Sequence, residues 1–450
     1  MYNRKQKKCL NIIGSCLCVF LILSLAACRL SEREVETGIE PEVLEAEEEE
    51  GLHEDTDRPP AIEISIWDCL DAKERMALMD SVEEFTEKNP GTNIGVRHIR
   101  SEEELLDQFE AASLAGSGPD IAIVDLASVQ RMAESNVIKE ITDVQYNRFW
   151  DGLTEISEHN GRKYMVPFRV TDFLVFYYNK DFVERAPRDF ESLVEYCLEE
   201  SSSDDPGYGF VLNHNEPDWI IPFIGGYSTW VIDYSNYSLS LDTRAMENTL
   251  EFLLMLYDPS EPIIEDMHYE EMDTLFKSGD IHMIINSFRV RDQYLEEGIN
   301  LGTSIIPQVY GEGKNPTPLI SGVGLILNSN SFGEEERVAK DFIEFILSTE
   351  QQVEWTKKTN TMPAVVAASE DNYFKNNDIL SNVLRQAEIS RGIPPENIMR
   401  VLRDSIRINV PRVISGELDV DEAAKKIQDD ALRLRSGNVT IEALREELLQ

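Results

Sequence analysis

Between Ile62 and Asp125 the chain alternates short apolar runs with helical stretches, and this alternation restricts the fold more than any other feature. Ile62-Glu63-Ile64-Ser65-Ile66 switches between apolar and polar residues with the period of a strand. Met76, Met79, Val82 and Phe85 recur at helical spacing, and Asn89-Pro90-Gly91 stops that helix, because proline cannot continue the hydrogen-bond ladder. A second strand carries Ile94 and Val96, and a second helix carries Leu105, Leu106, Phe109 and Ala112. After Gly116-Ser117-Gly118-Pro119 the run Asp120 to Asp125 reads as a third strand. Strands joined by helices of this length imply right-handed crossovers and a largely parallel sheet, hence an α/β lobe.

A second αβ pattern begins near Asp172. Phe173 to Tyr178, Tyr208 to Leu212 and Ile281 to Asn286 read as strands, with helices at Phe190 to Leu198 and Arg244 to Tyr257. Val323 to Leu327 is another apolar run, and the helix opening at Glu334-Glu335-Glu336 sets carboxylates at its positive end. The length of the chain fits two lobes, at ~100–200 residues per domain.

Ahead of the folded part, Arg4, Lys5, Lys7 and Lys8 precede an apolar stretch from Leu10 to Leu25, and Ala26-Ala27 leads into Cys28. A basic segment, a short apolar core and a small-residue cleavage site describe a secretory signal. The cysteine placed directly after it resembles the lipobox of bacterial lipoproteins. That resemblance implies removal of residues 1–27, acylation of Cys28, and a membrane-anchored protein on the extracytoplasmic face. The competing reading is a membrane span, for which the run is short at about 20 residues required. Residues 28–60 are rich in glutamate, including Glu47 to Glu50, and read as a disordered acidic linker.

The net charge is −42, which argues against nucleic-acid partners, anionic lipid surfaces and, more weakly, a polyanionic ligand, and keeps a polyamine in view. Loss of the leader would remove Cys9, Cys16 and Cys18, so beyond the acylated Cys28 only Cys69 and Cys197 remain, expected as free and mostly buried thiols, with pairing in an oxidising compartment as the alternative. The six histidines show no metal-ligand spacing, and neither a Gly-x-Ser-x-Gly elbow nor a phosphate-cradling glycine loop occurs. No cofactor, metal or catalytic residue is therefore expected. Carboxylates are abundant enough that a glycosidase-type pair stays open as an alternative.

Four stretches resemble the extracellular solute-binding proteins of ABC importers, in their sugar-binding group. These are Ile64 to Asp68 with Phe85 to Gly91, Ala115 to Ile121, Gly161 to Pro167 with Tyr177 to Asp181, and Ser321 to Gly324 with Ala339 to Phe345 and Met362-Pro363. Gly416 to Ala424 resembles the closing helix of the group. The resemblance implies a two-lobed periplasmic-binding-protein-like fold of type II, with interleaved lobes, a hinge and a central cleft. Residues 61–170 plus 306–348 would form lobe 1, and 171–305 plus 349–450 lobe 2. It further implies a monomer that captures a small solute, most simply a carbohydrate, and delivers it to permease subunits. A ligand-presenting sensor for a receptor kinase would share the fold, and a secreted lipoprotein hydrolase is the alternative from another class.

Ligands of open α/β sheets sit beyond the carboxyl ends of strands, which nominates Trp67, Asp68, Asp125, Asn286 and Ser287. Sugars offer apolar faces to stack on and hydroxyls to bond, so aromatic and planar polar side chains are sought. Trp67 is the first aromatic candidate, with packing of a lobe edge as its alternative. Phe168 and Arg169 fall where the group makes ligand contacts, and Arg169 either clamps ligand or braces the hinge. One of Trp219 and Trp230 is expected to line the cleft. Ser321 and Gly322 are expected to bring backbone close to ligand, since glycine lacks a Cβ. The group's C-terminal aromatic platform is replaced here by Ile393 to Arg403, which holds no aromatic residue and leaves open a charged or uronic sugar. Arg400 or Arg403 would either project there or form surface ion pairs.

Overall fold

The structure is a computed structural model that describes residues 61–201, 207–257, 263–311, 313–437 and 439–447. The expected leader, Cys28 and the linker to residue 60 lie outside these residues. In chain order the elements used below are β1 (Ile62–Asp68), α1 (Ala72–Lys88), β2 (Thr92–His98), α2 (Glu102–Leu114), β3 (Ile121–Asp125), β4 (Met165–Asp172) and β5 (Leu174–Asn179). They continue with α3 (Phe190–Ser201), β6 (Tyr208–Val211), α4 (Pro217–Gly226), α5 (Arg244–Leu256), α6 (Tyr269–Ser278), β7 (Ile281–Ser287) and β8 (Leu301–Ser304). The rest are β9 (Leu319–Leu327), α7 (Gly333–Ile346), α8 (Thr349–Thr359), α9 (Asp378–Glu388), α10 (Glu396–Ile414) and α11 (Val420–Arg435).

Two sheets organise the chain. In the first, β1 pairs in parallel with both β2 and β3, as the opening alternation predicts. The strand β9 then runs antiparallel between β3 and β4, so this sheet is mixed rather than uniformly parallel. Along β1 the side chains of Ile64, Ile66 and Asp68 are buried, and those between them are not. Local chemistry sets where α1 begins. The Asp71 carboxylate accepts from the Glu74 N–H while Glu74 reaches back to the Asp71 N–H, a capping box that satisfies two otherwise orphaned donors.

The second sheet runs β8-β5-β7-β6, with β7 antiparallel to β5 and parallel to β6. Helices α4, α5, α10 and α11 cover one face around Phe176, Phe210, Phe223 and Leu253. The other face, with Tyr177, Ile284 and Tyr294, joins the apolar core of the first sheet. The chain passes from β4 to β5 through Phe173 alone, whose ring sits 5.0 Å from that of Phe288. It returns between Ser304 and Leu319, and leaves the first sheet again after Met362-Pro363.

One boundary differs from the sequence reading. Helix α8 packs against α1, and Met362-Pro363 pairs with β4, so these residues accompany the first sheet although 349–450 was expected in the second lobe. Trp355 is the physical reason: its buried ring meets Phe168 of β4 at 4.6 Å. Among the described residues no helix is long and apolar enough to cross a membrane.

Candidate functional site

The crossing from β4 to β5 is tied by short polar contacts. The Asp172 carboxylate accepts from Ser287 Oγ at 2.6 Å and from the Phe173 N–H at 2.8 Å. Ser321 Oγ lies 2.6 Å from Thr171 Oγ1, and Tyr177 donates its hydroxyl to the Ser287 carbonyl at 3.0 Å. Burial pushes the Asp172 carboxyl above the usual range, opposed by the Ser287 hydrogen bond and by the nearby Arg289 charge.

Beside this crossing a crevice of about 560 Å³ opens between the two sheet-bearing halves. One wall is the first turn of α1 (Asp71 to Glu74) with Arg169 and Thr171 of β4, joined by Thr359 to Thr361. The other wall is Phe288, Arg289 and Asp292, which follow β7 of the second sheet. Arg169 is nearly buried and pairs with Glu74, Nε to Oε1 at 2.6 Å and Nη2 to Oε2 at 2.9 Å. A second crevice, of about 750 Å³, separates Glu102 and Asp125 to Ser135 from Pro395 to Asn397. On its floor Glu102 accepts the Asp125 N–H at 2.9 Å and the Cys69 thiol at 3.0 Å. Desolvation pushes the Glu102 and Asp125 carboxyls up.

Crevices of this size between two sheets are large enough to admit a small molecule. The family described as bacterial extracellular solute-binding protein matches residues 80–382. The chain belongs to this family. This solute-binding protein is 21% identical over 312 residues to the maltodextrin-binding protein MdxE of Bacillus subtilis, covering 65% of the chain and 72% of the relative. It is 22% identical over 332 residues to a maltooligosaccharide ABC transporter solute-binding lipoprotein of Streptococcus pneumoniae, covering 71% and 77%. Among solved structures, the maltose/maltodextrin-binding domain MalE of Bdellovibrio bacteriovorus bound to maltotriose superposes with a TM-score of 0.59 at 26% identity, covering 83% of the chain and 99% of the domain. An extracellular solute-binding protein of Staphylococcus aureus in complex with maltose superposes with a TM-score of 0.74 at 19% identity, covering 85% and 100%.

The nominated residues of the solute-binding protein fall into three groups. Arg169 lines the smaller crevice and Asp125 the larger. Ser287 and Ser321 serve the crossing itself, where each is hydrogen-bonded as described. The remainder are engaged elsewhere. Phe168 is fully buried against Trp355 and faces core, because β4 lies between β9 and Met362-Pro363. Asn286 is fully buried and donates to the Tyr294 hydroxyl at 2.8 Å, so its amide is spent within the second half. Gly322 serves internal packing: a Cβ there would meet Leu153 at 2.7 Å and the Arg169 carbonyl at 2.8 Å. Asp68 is buried and receives His98 Nδ1 at 2.9 Å and the Leu70 N–H at 3.1 Å.

Among the tryptophans, Trp67 carries the Arg97 guanidinium 4.6 Å from its ring. Trp230 carries that of Arg391 at 5.3 Å and donates to the Tyr234 hydroxyl at 3.2 Å. Trp219 donates to the Ile285 carbonyl at 2.7 Å. None of the three lines either crevice. Arg403 is held by Asp218 through two hydrogen bonds of 2.8 and 2.9 Å, whereas Arg400 faces a smaller crevice opposite Gln130.

The residues not singled out from sequence are Lys73, Glu74, Glu102, Asp172 and Arg289. Only the Asp71-to-Glu74 spacing carried a signal, since it is a capping box at the end of a strand-to-helix turn. Cys69 and Cys197 are both free, and burial pushes the Cys197 thiol up to about 12.

Proposed function

We propose that this protein is the capturing component of an ABC importer. It takes up a small extracellular carbohydrate between its halves and presents it to permease subunits without chemical change. The observation that carries the reading is the family match across residues 80–382, and the crevice that Arg169 and Arg289 line from opposite sides agrees with it. Relatives named for maltodextrin and maltooligosaccharide binding point to the solute class. Ligand touching both walls at once would favour a closed form, and a ligand shifts a conformational equilibrium only by its differential affinity for the two forms. Attachment to the membrane through an acylated Cys28 belongs to the same reading, in line with a relative named as a lipoprotein.

The test is a thermal-melting series with maltotriose, in parallel with chromatography of the sugar afterwards. A melting temperature that climbs with the logarithm of sugar concentration, with the sugar recovered intact, is the expected result. Shortened products would replace the importer reading with a hydrolase. Substitution of Cys28 by Ser should release the protein from the cell surface into the medium, and retention on the cells would remove the acyl anchor.

A further inference from the structure

We infer that the solute held in the smaller crevice carries a negative charge, as a uronate-bearing oligosaccharide does, and that Lys73 and Arg289 recognise it from opposite walls. This rests on the carbohydrate reading above and adds the charge of the ligand. The walls hold three acids, and each is already engaged. Asp71 caps α1, Glu74 pairs with Arg169, and Asp292 accepts from Arg291 Nε at 2.7 Å. The cations are not matched in this way. Lys73 and Arg289 are exposed, and among the described residues neither side chain has an ion-pair or hydrogen-bond partner.

Arg289 also stands close enough to Arg169 for their like charges to interact, and Arg169 offers Nη1 beyond the two nitrogens given to Glu74. A further acid, Asp172, feels the Arg289 charge but accepts its hydrogen bonds from Ser287 and from the Phe173 N–H. On a chain of net charge −42 the long-range field repels anions, so an anionic solute needs local cations at its seat. A carboxylate between an ammonium and a guanidinium takes charge-assisted hydrogen bonds, about twice as strong as neutral ones.

The aromatic surfaces agree. No tryptophan lines this crevice, its one aromatic residue Phe288 is buried against Phe173, and the rings of Trp67 and Trp230 each carry an arginine. Recognition by ring stacking, which suits a neutral sugar, has little purchase here. Thr171, Asn360 and Thr361 remain in the walls to meet hydroxyl groups.

Titration calorimetry of the full chain with trigalacturonate and with maltotriose tests the inference. Trigalacturonate should bind about tenfold or more tighter, and should weaken as salt is raised. Lys73→Met and Arg289→Met should each cost about tenfold on trigalacturonate and weaken maltotriose, which shares the crevice, by a clearly smaller factor. Lys73→Arg and Arg289→Lys, which keep the charge, should retain most of the affinity and show that the fold is intact. Equal or tighter binding of maltotriose, or methionine variants that hold trigalacturonate as the parent does, overturns the inference and leaves the carbohydrate reading standing. Binding of neither sugar overturns both.

Discussion

The Glu74 carboxylate and the Arg169 guanidinium meet at 2.6 Å with neither side chain more than about one-tenth exposed. Burial works against both charges, and their mutual attraction offsets it only in part. Arg169→Met should therefore lower stability by about 3–5 kcal/mol, because it strands a carboxylate in the wall. The double variant Glu74→Met/Arg169→Met should recover most of that loss. Urea unfolding of the four proteins reads the coupling, and simple additivity would show that the two groups act independently.

Four desolvated carboxyls should favour the folded state in mild acid over a definite window. The carboxyls of Glu102, Asp125, Glu155 and Asp172 are each pushed up, in every case chiefly by desolvation. A folded pKa above the unfolded one gives stability that is complete below the unfolded value and is lost as pH rises through the folded value. The unfolded values are 4.5 for glutamate and 3.8 for aspartate, so urea midpoints should fall as pH climbs from the region of the unfolded values toward neutrality. Glu102→Gln should flatten part of that slope, since its amide oxygen can still accept the Asp125 N–H. Parallel profiles for parent and variant would assign the slope to other groups.

Trp67 is expected to matter for stability and not for ligand. Its ring packs against the first core and carries Arg97 at 4.6 Å. Trp67→Ala should cost about 2 kcal/mol through lost packing and the lost cation–π contact. Sugar affinity measured by calorimetry should change by less than about threefold, a small step against the 1.4 kcal/mol of a tenfold change. A larger loss would restore the ring to the ligand site.

Gly322→Ala offers a similar discrimination. The added Cβ would lie 2.8 Å from the Arg169 carbonyl, a backbone atom that cannot swing aside. Overpacking of this kind costs typically about 1–3 kcal/mol, visible as a lower melting temperature. An unchanged melting temperature would show that β4 and β9 can separate locally.

Much of the fold could be read from the chain because the relevant signals are local. The alternation through Ile62, Ile64 and Ile66 gives β1, and Asn89-Pro90-Gly91 marks the end of α1 within a residue. The site was less legible. Whether a strand side chain faces a crevice can depend on a partner remote in sequence, as Trp355 decides for Phe168. Lys73 and Arg289 carry no motif of their own; they line one crevice because the chain crosses between sheets at Phe173.

That crossing has a mechanical consequence. A chain that leaves one sheet at Asp172 and enters the next at Leu174 has no slack, so the halves can swing about this point but cannot slide apart there. An inserted residue next to Phe173 would throw β5 out of register and exchange the side chains it gives to the two cores. The same insertion in the longer return between Ser304 and Leu319 should be absorbed, which makes the two connections unequal in what they allow evolution to change.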